Sequence, residues 1–289
     1  MKKDLYKEIT DKIIAQLEKG VVPWHKPWIA SRSGKEIISH STGKGYSFLN
    51  TMLISRPGEY ATFNQIKAEG GSVKKGAKSE QIYFWKMLQV TEKDKNGNEE
   101  KKQVPFLQYY NVFNLDDCEG IEPKYLKPVE DKPKIGEGNK RINKAEAVAK
   151  AYIKREKISF KEKDEDCAFF RPSTDYVQVP LFECFEKANE YYATLFHELT
   201  HSTGVEKRLK RDMKGHFGNK DYSKEELVAE CGSAMALSRL GFDIEKTFDN
   251  SVAYIKSWLK VLNDDPKMVV SAAGKAEKAV DFIFATEAA

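Results

Sequence analysis

The stretch Leu195-Phe196-His197-Glu198-Leu199-Thr200-His201 decides how this chain is read. Histidines at positions i and i+4 lie about 40° apart around an α-helix, so both imidazoles can reach one ion from one face. Glu198 sits about 100° round from His197, off the ligand axis but within reach of a water on that ion. Zinc brings the pKa of such a water toward about 7, and a carboxylate beside it can take the proton as general base. Leu195 and Leu199 form an apolar stripe on the same helix, predicted over residues 188–202, which places the motif inside a domain. Glu198 is therefore the candidate catalytic residue, and His197 and His201 are the candidate metal ligands.

A third protein ligand must come from elsewhere. The metzincin spacing fails: Gly204 fits, but Lys207 stands where a third histidine belongs. His216, in a loop between Gly215 and Gly218, is one alternative. The stronger one is Glu225-Glu226-Leu227-Val228-Ala229-Glu230, on a helix expected to start at Ser223 as N-cap. Gluzincins take their third ligand from a glutamate on such a helix, with an acid four residues later orienting a histidine. Glu226 is accordingly assigned as ligand and Glu230 as the orienting carboxylate, with Glu225 as an exposed neighbour. Asp175-Tyr176-Val177-Gln178-Val179-Pro180, just ahead of the motif helix, is a candidate edge strand for an extended peptide. No P-loop, dinucleotide-binding fingerprint or nucleophile elbow is present.

Around this motif lie 289 residues, a length that suggests about two domains. Forty per cent hydrophobic residues are enough for a core, which excludes wholesale disorder. The longest uncharged run covers residues 103–115, too short for a transmembrane helix, and no apolar stretch follows the charged N-terminus as a signal peptide requires. Cys118, Cys167, Cys184 and Cys231 are widely spaced, a pattern of free thiols in a reducing cytoplasm. A cytoplasmic protein is expected.

The net charge of +4 hides an asymmetry. Residues 1–90 hold 15 Lys+Arg against 8 Asp+Glu, and the remainder 33 against 36. Trp24, Trp28 and Trp85 fall in the basic portion, so only the front of the chain is suited to a polyanion. The pattern predicts helices over 3–19, 48–55 and 63–69, the last capped by Thr62, and a polar loop over 29–45. Strands at 81–90 and 103–115 flank an Asn96-Gly97 hairpin signal. Prolines 123, 128 and 133 mark residues 121–140 as a linker. Beyond it come helices near 143–155, 188–202, 223–240, 250–262 and 266–285, with short strands at 167–170 and 176–179. The fold class is α+β: a small mixed α/β N-terminal domain (1–120) with an aromatic-rich hairpin, then a mostly helical domain (141–289) with a small sheet.

The chain resembles the ArdC-type antirestriction proteins of plasmids and other mobile elements. Val22-Pro23-Trp24-His25-Lys26-Pro27-Trp28, Ala61-Thr62-Phe63-Asn64-Gln65-Ile66-Lys67 and Tyr110-Asn111-Val112-Phe113-Asn114-Leu115 carry the likeness in front. Thr194–Gly204 and Glu225–Glu230 carry it behind, where the domain resembles a zincin-like metallopeptidase. The resemblance implies a front domain that binds single-stranded DNA, a zinc site behind, and protection of incoming DNA from restriction. Lys26, Lys74, Lys75 and Lys78 are then expected at phosphates and Trp24, Trp28 and Trp85 at bases. A peptide or protein substrate is a further expected partner. Two alternatives stand beside this reading: a zinc protease with no DNA role, and a DNA-binding protein whose zinc is structural.

Overall fold

The Asp4 carboxylate accepts the backbone N–H groups of Tyr6 and Lys7 and so starts the first helix, α1 (Leu5–Leu17). The computed structural model describes residues 4–25, 37–93, 99–126, 140–213, 220–243 and 252–285. After α1 come β1 (Ile37–Ser39), α2 (Phe48–Leu53), β2 (Gly58–Thr62), α3 (Phe63–Ala68), β3 (Ser72–Val73), β4 (Glu80–Lys93), β5 (Glu99–Asn114) and β6 (Cys118–Glu119). Thr62 and Gln65 close a reciprocal capping box on α3, as a Thr-x-x-Gln sequence allows. The second half holds α4 (Asn143–Glu156), β7 (Ser159–Lys163), β8 (Phe169–Arg171), β9 (Tyr176–Pro180), α5 (Ala188–Ser202), α6 (Lys220–Leu240), α7 (Val252–Asp264) and α8 (Met268–Phe284). The fold is α+β, and among the described residues no helix is long and apolar enough to cross a membrane.

The front sheet has the order β1-β2-β5-β4, with β1 and β2 parallel and the other pairs antiparallel. Ile37 and Ile38 are buried, which draws a strand out of the segment expected to be a polar loop. The hairpin is longer than its apolar core predicts: its register runs from Glu80↔Val112 to Lys93↔Glu99. Asn96 and Gly97 lie outside the described residues. The expected linker is tied down over residues 121–126. Glu59, buried, accepts the N–H groups of Lys124 (3.0 Å), Tyr125 (2.9 Å) and Leu126 (3.3 Å) and also contacts His40. Residues 127–139 are not among those described.

The rear sheet has the order β7-β9-β8, with β7 parallel and β8 antiparallel to β9. This corrects one expectation. The strand from Tyr176 is central, because its two faces and both edges are engaged, and the strands at the edges are β7 and β8. β7 went unpredicted because Ser159-Phe160-Lys161-Glu162-Lys163 has almost no apolar alternation. Helix α6 begins at Lys220, so Ser223 lies inside it and is not its N-cap.

One hydrophobic core joins front and rear. Ile9, Ile13 and Leu17 of α1, Trp24, and Phe48 and Met52 of α2 share a cluster with Leu262 of α7 and with Ala272, Ala273, Ala276 and Val280 of α8. The alanines of α8 let other helices approach its axis closely. Thr10 donates to the Pro266 carbonyl at 2.6 Å, and Trp24 meets Trp258 edge-to-face at 5.8 Å. Trp24 is fully buried, so this expected base-stacking residue is a core residue. Trp24→Ala is expected to lower the unfolding free energy by about 3–5 kcal/mol. Urea denaturation followed by circular dichroism checks this, and a loss below about 1 kcal/mol would show that Trp24 is not part of the shared core.

Candidate metal centre

Helix α5 places His197 and His201 one turn apart, with ring centroids 4.8 Å from each other and planes at 77°. Their Nε2 atoms converge to 3.1 Å. Glu226 reaches over from α6, its carboxylate 3.5 Å from His197 Nε2 and 3.3 Å from His201 Nε2. All three donor atoms lie within 4.8 Å of one another. Ligands held 2.0–2.1 Å from a tetrahedral ion are separated by about 3.3 Å, so this triangle has the size of one face of such a site. Two imidazoles and a carboxylate are also a donor set suited to zinc. The residues present therefore fit the ion that the sequence implies, and among the described residues no fourth ligand joins them.

Glycine makes the approach of α6 possible. A Cβ at Gly232 would stand 2.6 Å from both Cγ2 and Oγ1 of Thr200 on α5, closer than real contacts allow. Ser233 adds a hydrogen bond from its hydroxyl to the Ala193 carbonyl at 2.7 Å. With the helices so close, two adjacent residues of α6 face the motif. Glu226 points at the Nε2 atoms, and Glu225 meets His201 Nδ1 at 3.3 Å. Glu225 is 8 % exposed, which corrects the expectation of an exposed neighbour. It stands behind His201, the kind of place expected of Glu230, which lies one turn beyond Glu226 and is half-buried. His216 lies outside the described residues.

Glu198 is 8 % exposed and lies beside the backbone amide of Phe170 on the edge strand β8. Burial raises its pKa above the ordinary carboxylate value, against the pull of both histidines. Burial also works against ionisation of Glu226, but the two imidazoles outweigh it and hold that carboxyl well below the usual range. On His201 burial disfavours charge, yet Glu225 and Glu226, one at each ring nitrogen, push its pKa up to about 10. A proton and a metal ion thus compete for the same place.

The residues expected at DNA are scattered. Lys26 and Trp28 lie outside the described residues. Lys74, Lys75 and Lys78 are exposed on the turn after β3, though the Lys74 ammonium is bonded to the Asp116 carbonyl at 2.8 Å. Trp85 is 44 % exposed and donates from Nε1 to the Tyr6 hydroxyl at 3.0 Å, on the side of the hairpin that faces α1. The opposite side carries residues that sequence reasoning missed. The pairs Ile82↔Tyr110, Phe84↔Gln108 and Lys86↔Phe106 put Phe84, Lys86 and Tyr110 on one face. Phe84 and Tyr110 are exposed at 47 % and 44 %, and the Lys86 ammonium lies 5.5 Å from the centre of the Phe84 ring. Strand alternation in the sequence was the available signal: it separates Phe84 from Tyr83 and Trp85.

Comparison with known proteins follows the same division. Residues 3–113 match the N-terminal domain of anti-restriction factor ArdC, and residues 147–275 match a zincin-like metallopeptidase family. The fold is similar to the crystal structure of antirestriction ArdC protein from the R388 plasmid. In the metal-free form the TM-score is 0.74 at 32 % identity, and in the Mn(II)-bound form 0.73 at 30 %; 97 % of each chain is covered in both. The uncharacterized protein y4eC of Sinorhizobium fredii (strain NBRC 101917 / NGR234) is 32 % identical over 98 % of this chain and 92 % of its own length. DNA primase TraC of Escherichia coli is 33 % identical over 99 % of this chain, which spans only 28 % of that protein. With both halves matched in order and a solved relative aligned almost end to end, the chain belongs to the ArdC-type antirestriction family.

Proposed function

We propose that this protein binds single-stranded DNA through its N-terminal half and carries a zinc peptidase in its C-terminal half, acting in the cytoplasm in antirestriction. The observation that carries the reading is the convergence of His197, His201 and Glu226 beside a buried Glu198. Three protein ligands leave a coordination position open, as a catalytic site needs, whereas structural zinc sites close with four. The manganese bound by the R388 relative supports a divalent ion on this scaffold.

A bound divalent ion supplies Lewis-acid charge to a peptide carbonyl and acidifies a water. His197, His201 and Glu226 hold that charge in place. Glu198 accepts the proton of the attacking water and returns it to the leaving amine, a task suited to a carboxyl whose pKa burial has raised. Among the described residues β8 pairs with β9 alone, so an extended peptide adding to its other edge would run past Glu198.

For DNA, the support is the distribution of exposed aromatic rings. Phe63, Phe84, Trp85, Tyr109, Tyr110 and Tyr125 are all in the first half, and among the described residues no ring of the second half is exposed to that degree. Aromatic faces stack bases without regard to sequence while cations track the phosphates. Phe84, Lys86 and Tyr110 form the face best arranged for this, with Lys75 and Lys78 as further cations.

Glu198→Gln is expected to lower hydrolysis of a denatured protein such as casein by about 10²–10⁴-fold while zinc content stays at the wild-type level. Undiminished cleavage would remove Glu198 from the general-base role. Phe84→Ala combined with Tyr110→Ala is expected to weaken binding of a fluorescent oligothymidylate by at least about tenfold, read by anisotropy at fixed low salt. Unchanged affinity would move the DNA contact away from this face.

A further inference from the structure

We propose that Arg211 is a positioning residue of the metal centre: its guanidinium fixes Glu225 and, through Glu225, the ring orientation and tautomer of His201. The inference rests on reading His197, His201 and Glu226 as metal ligands. Arg211 lies in the segment that turns back after α5, and its side chain is only 4 % exposed. It forms a two-pronged pair with Glu225, Nη2 to Oε1 at 2.6 Å and Nε to Oε2 at 3.0 Å. The same guanidinium donates from Nη1 to Thr203 Oγ1 at 2.6 Å and from Nη2 to the Thr200 carbonyl at 2.8 Å. It therefore ties the end of the motif helix to the start of α6. Gly204 leaves the lane open: a Cβ there would lie 3.0 Å from Arg211 Nη2 and 2.7 Å from Met213 Sδ.

The consequence for the ion follows from the shared oxygen. Glu225 Oε1 is the atom that meets both Arg211 Nη2 and His201 Nδ1. With both carboxylate oxygens pinned by a planar cation, Glu225 acts only as an acceptor toward Nδ1. The Nδ1 proton stays in place, and the lone pair on Nε2 faces Glu226 and His197. Charge points the same way. Glu198, Glu225 and Glu226 bring three negative charges to one buried place. A divalent ion offsets two of them, and the Arg211 guanidinium supplies the third.

The test measures zinc affinity of the full chain by competition with a chelating dye, with circular dichroism of the metal-free protein as the check on folding. Wild type is expected to bind one zinc and His197→Ala to lose it; failure there would reject the metal site itself and not Arg211 alone. Arg211→Met is expected to weaken zinc binding about 10–100-fold. In a Glu225→Gln background the same substitution is expected to add almost nothing, because the two residues act in series. Losses that multiply in the double variant, or a change below about threefold for Arg211→Met, would overturn the proposal. Arg211→Lys keeps the charge but cannot grip both oxygens, so it is expected to bind zinc more weakly than wild type; wild-type affinity for this variant would also overturn it.

Discussion

The metal centre depends on how closely α6 packs against α5. Gly232 lies against Thr200 with no room for a methyl group between them, and only at that separation does Glu226 reach both imidazoles. On the proposed reading, the motif helix alone supplies two ligands and a base on neighbouring faces. Glu226, the candidate third ligand, and Glu225, the carboxylate behind His201, are consecutive residues of the second helix, so the spacing of two rigid rods sets the size of the triangle. A helix pair is a good scaffold for this purpose, because backbone bonds inside each rod resist the repulsion of the carboxylates gathered between them.

Those carboxylates would be costly without partners. Glu198 lies beside the backbone of β8, Glu226 is held by the histidines, and Glu225 by His201 and Arg211. Arg208, just upstream, buries its own guanidinium between Asp175 and Glu156, fastening the turn after α5 to the residue before β9 and to the end of α4. The centre is thus braced by arginines from one short segment. The front of the chain belongs to the same packing problem. Helix α1 and Trp24 fill the surface of α7 and α8, so a change in the rear core is felt by the element on which the aromatic hairpin rests.

Much of the site was legible because its chemistry is local. Two histidines and a glutamate within five residues of one helix need no tertiary information, and the apolar residues after Glu226 marked a buried helix. What the sequence could not separate was Glu225 from Glu230. Both are within a turn of the ligand, and that Glu225 meets His201 depends on the rotation of α6 about its axis. Arg211 was invisible for a similar reason: nothing in Lys210-Arg211-Asp212 marks a cation that is to be buried. In front, aromatic content pointed to a binding surface, but content alone does not say which rings face water. Trp24 went to the core, where its ring meets Trp258 of α7. Phe84 and Tyr110 stayed exposed because strand alternation turns them away from α1. Strand order was likewise unreadable, since both β8 and β9 are short and only pairing shows which is central.

The most direct test of this account is X-ray absorption spectroscopy of the zinc-loaded full chain, which counts and identifies the ligand atoms without requiring a substrate. The account predicts two imidazole nitrogens at about 2.0–2.1 Å together with oxygen at a similar distance, and no sulfur. A third imidazole in the coordination shell, the signature of His216 in place of Glu226, would contradict it.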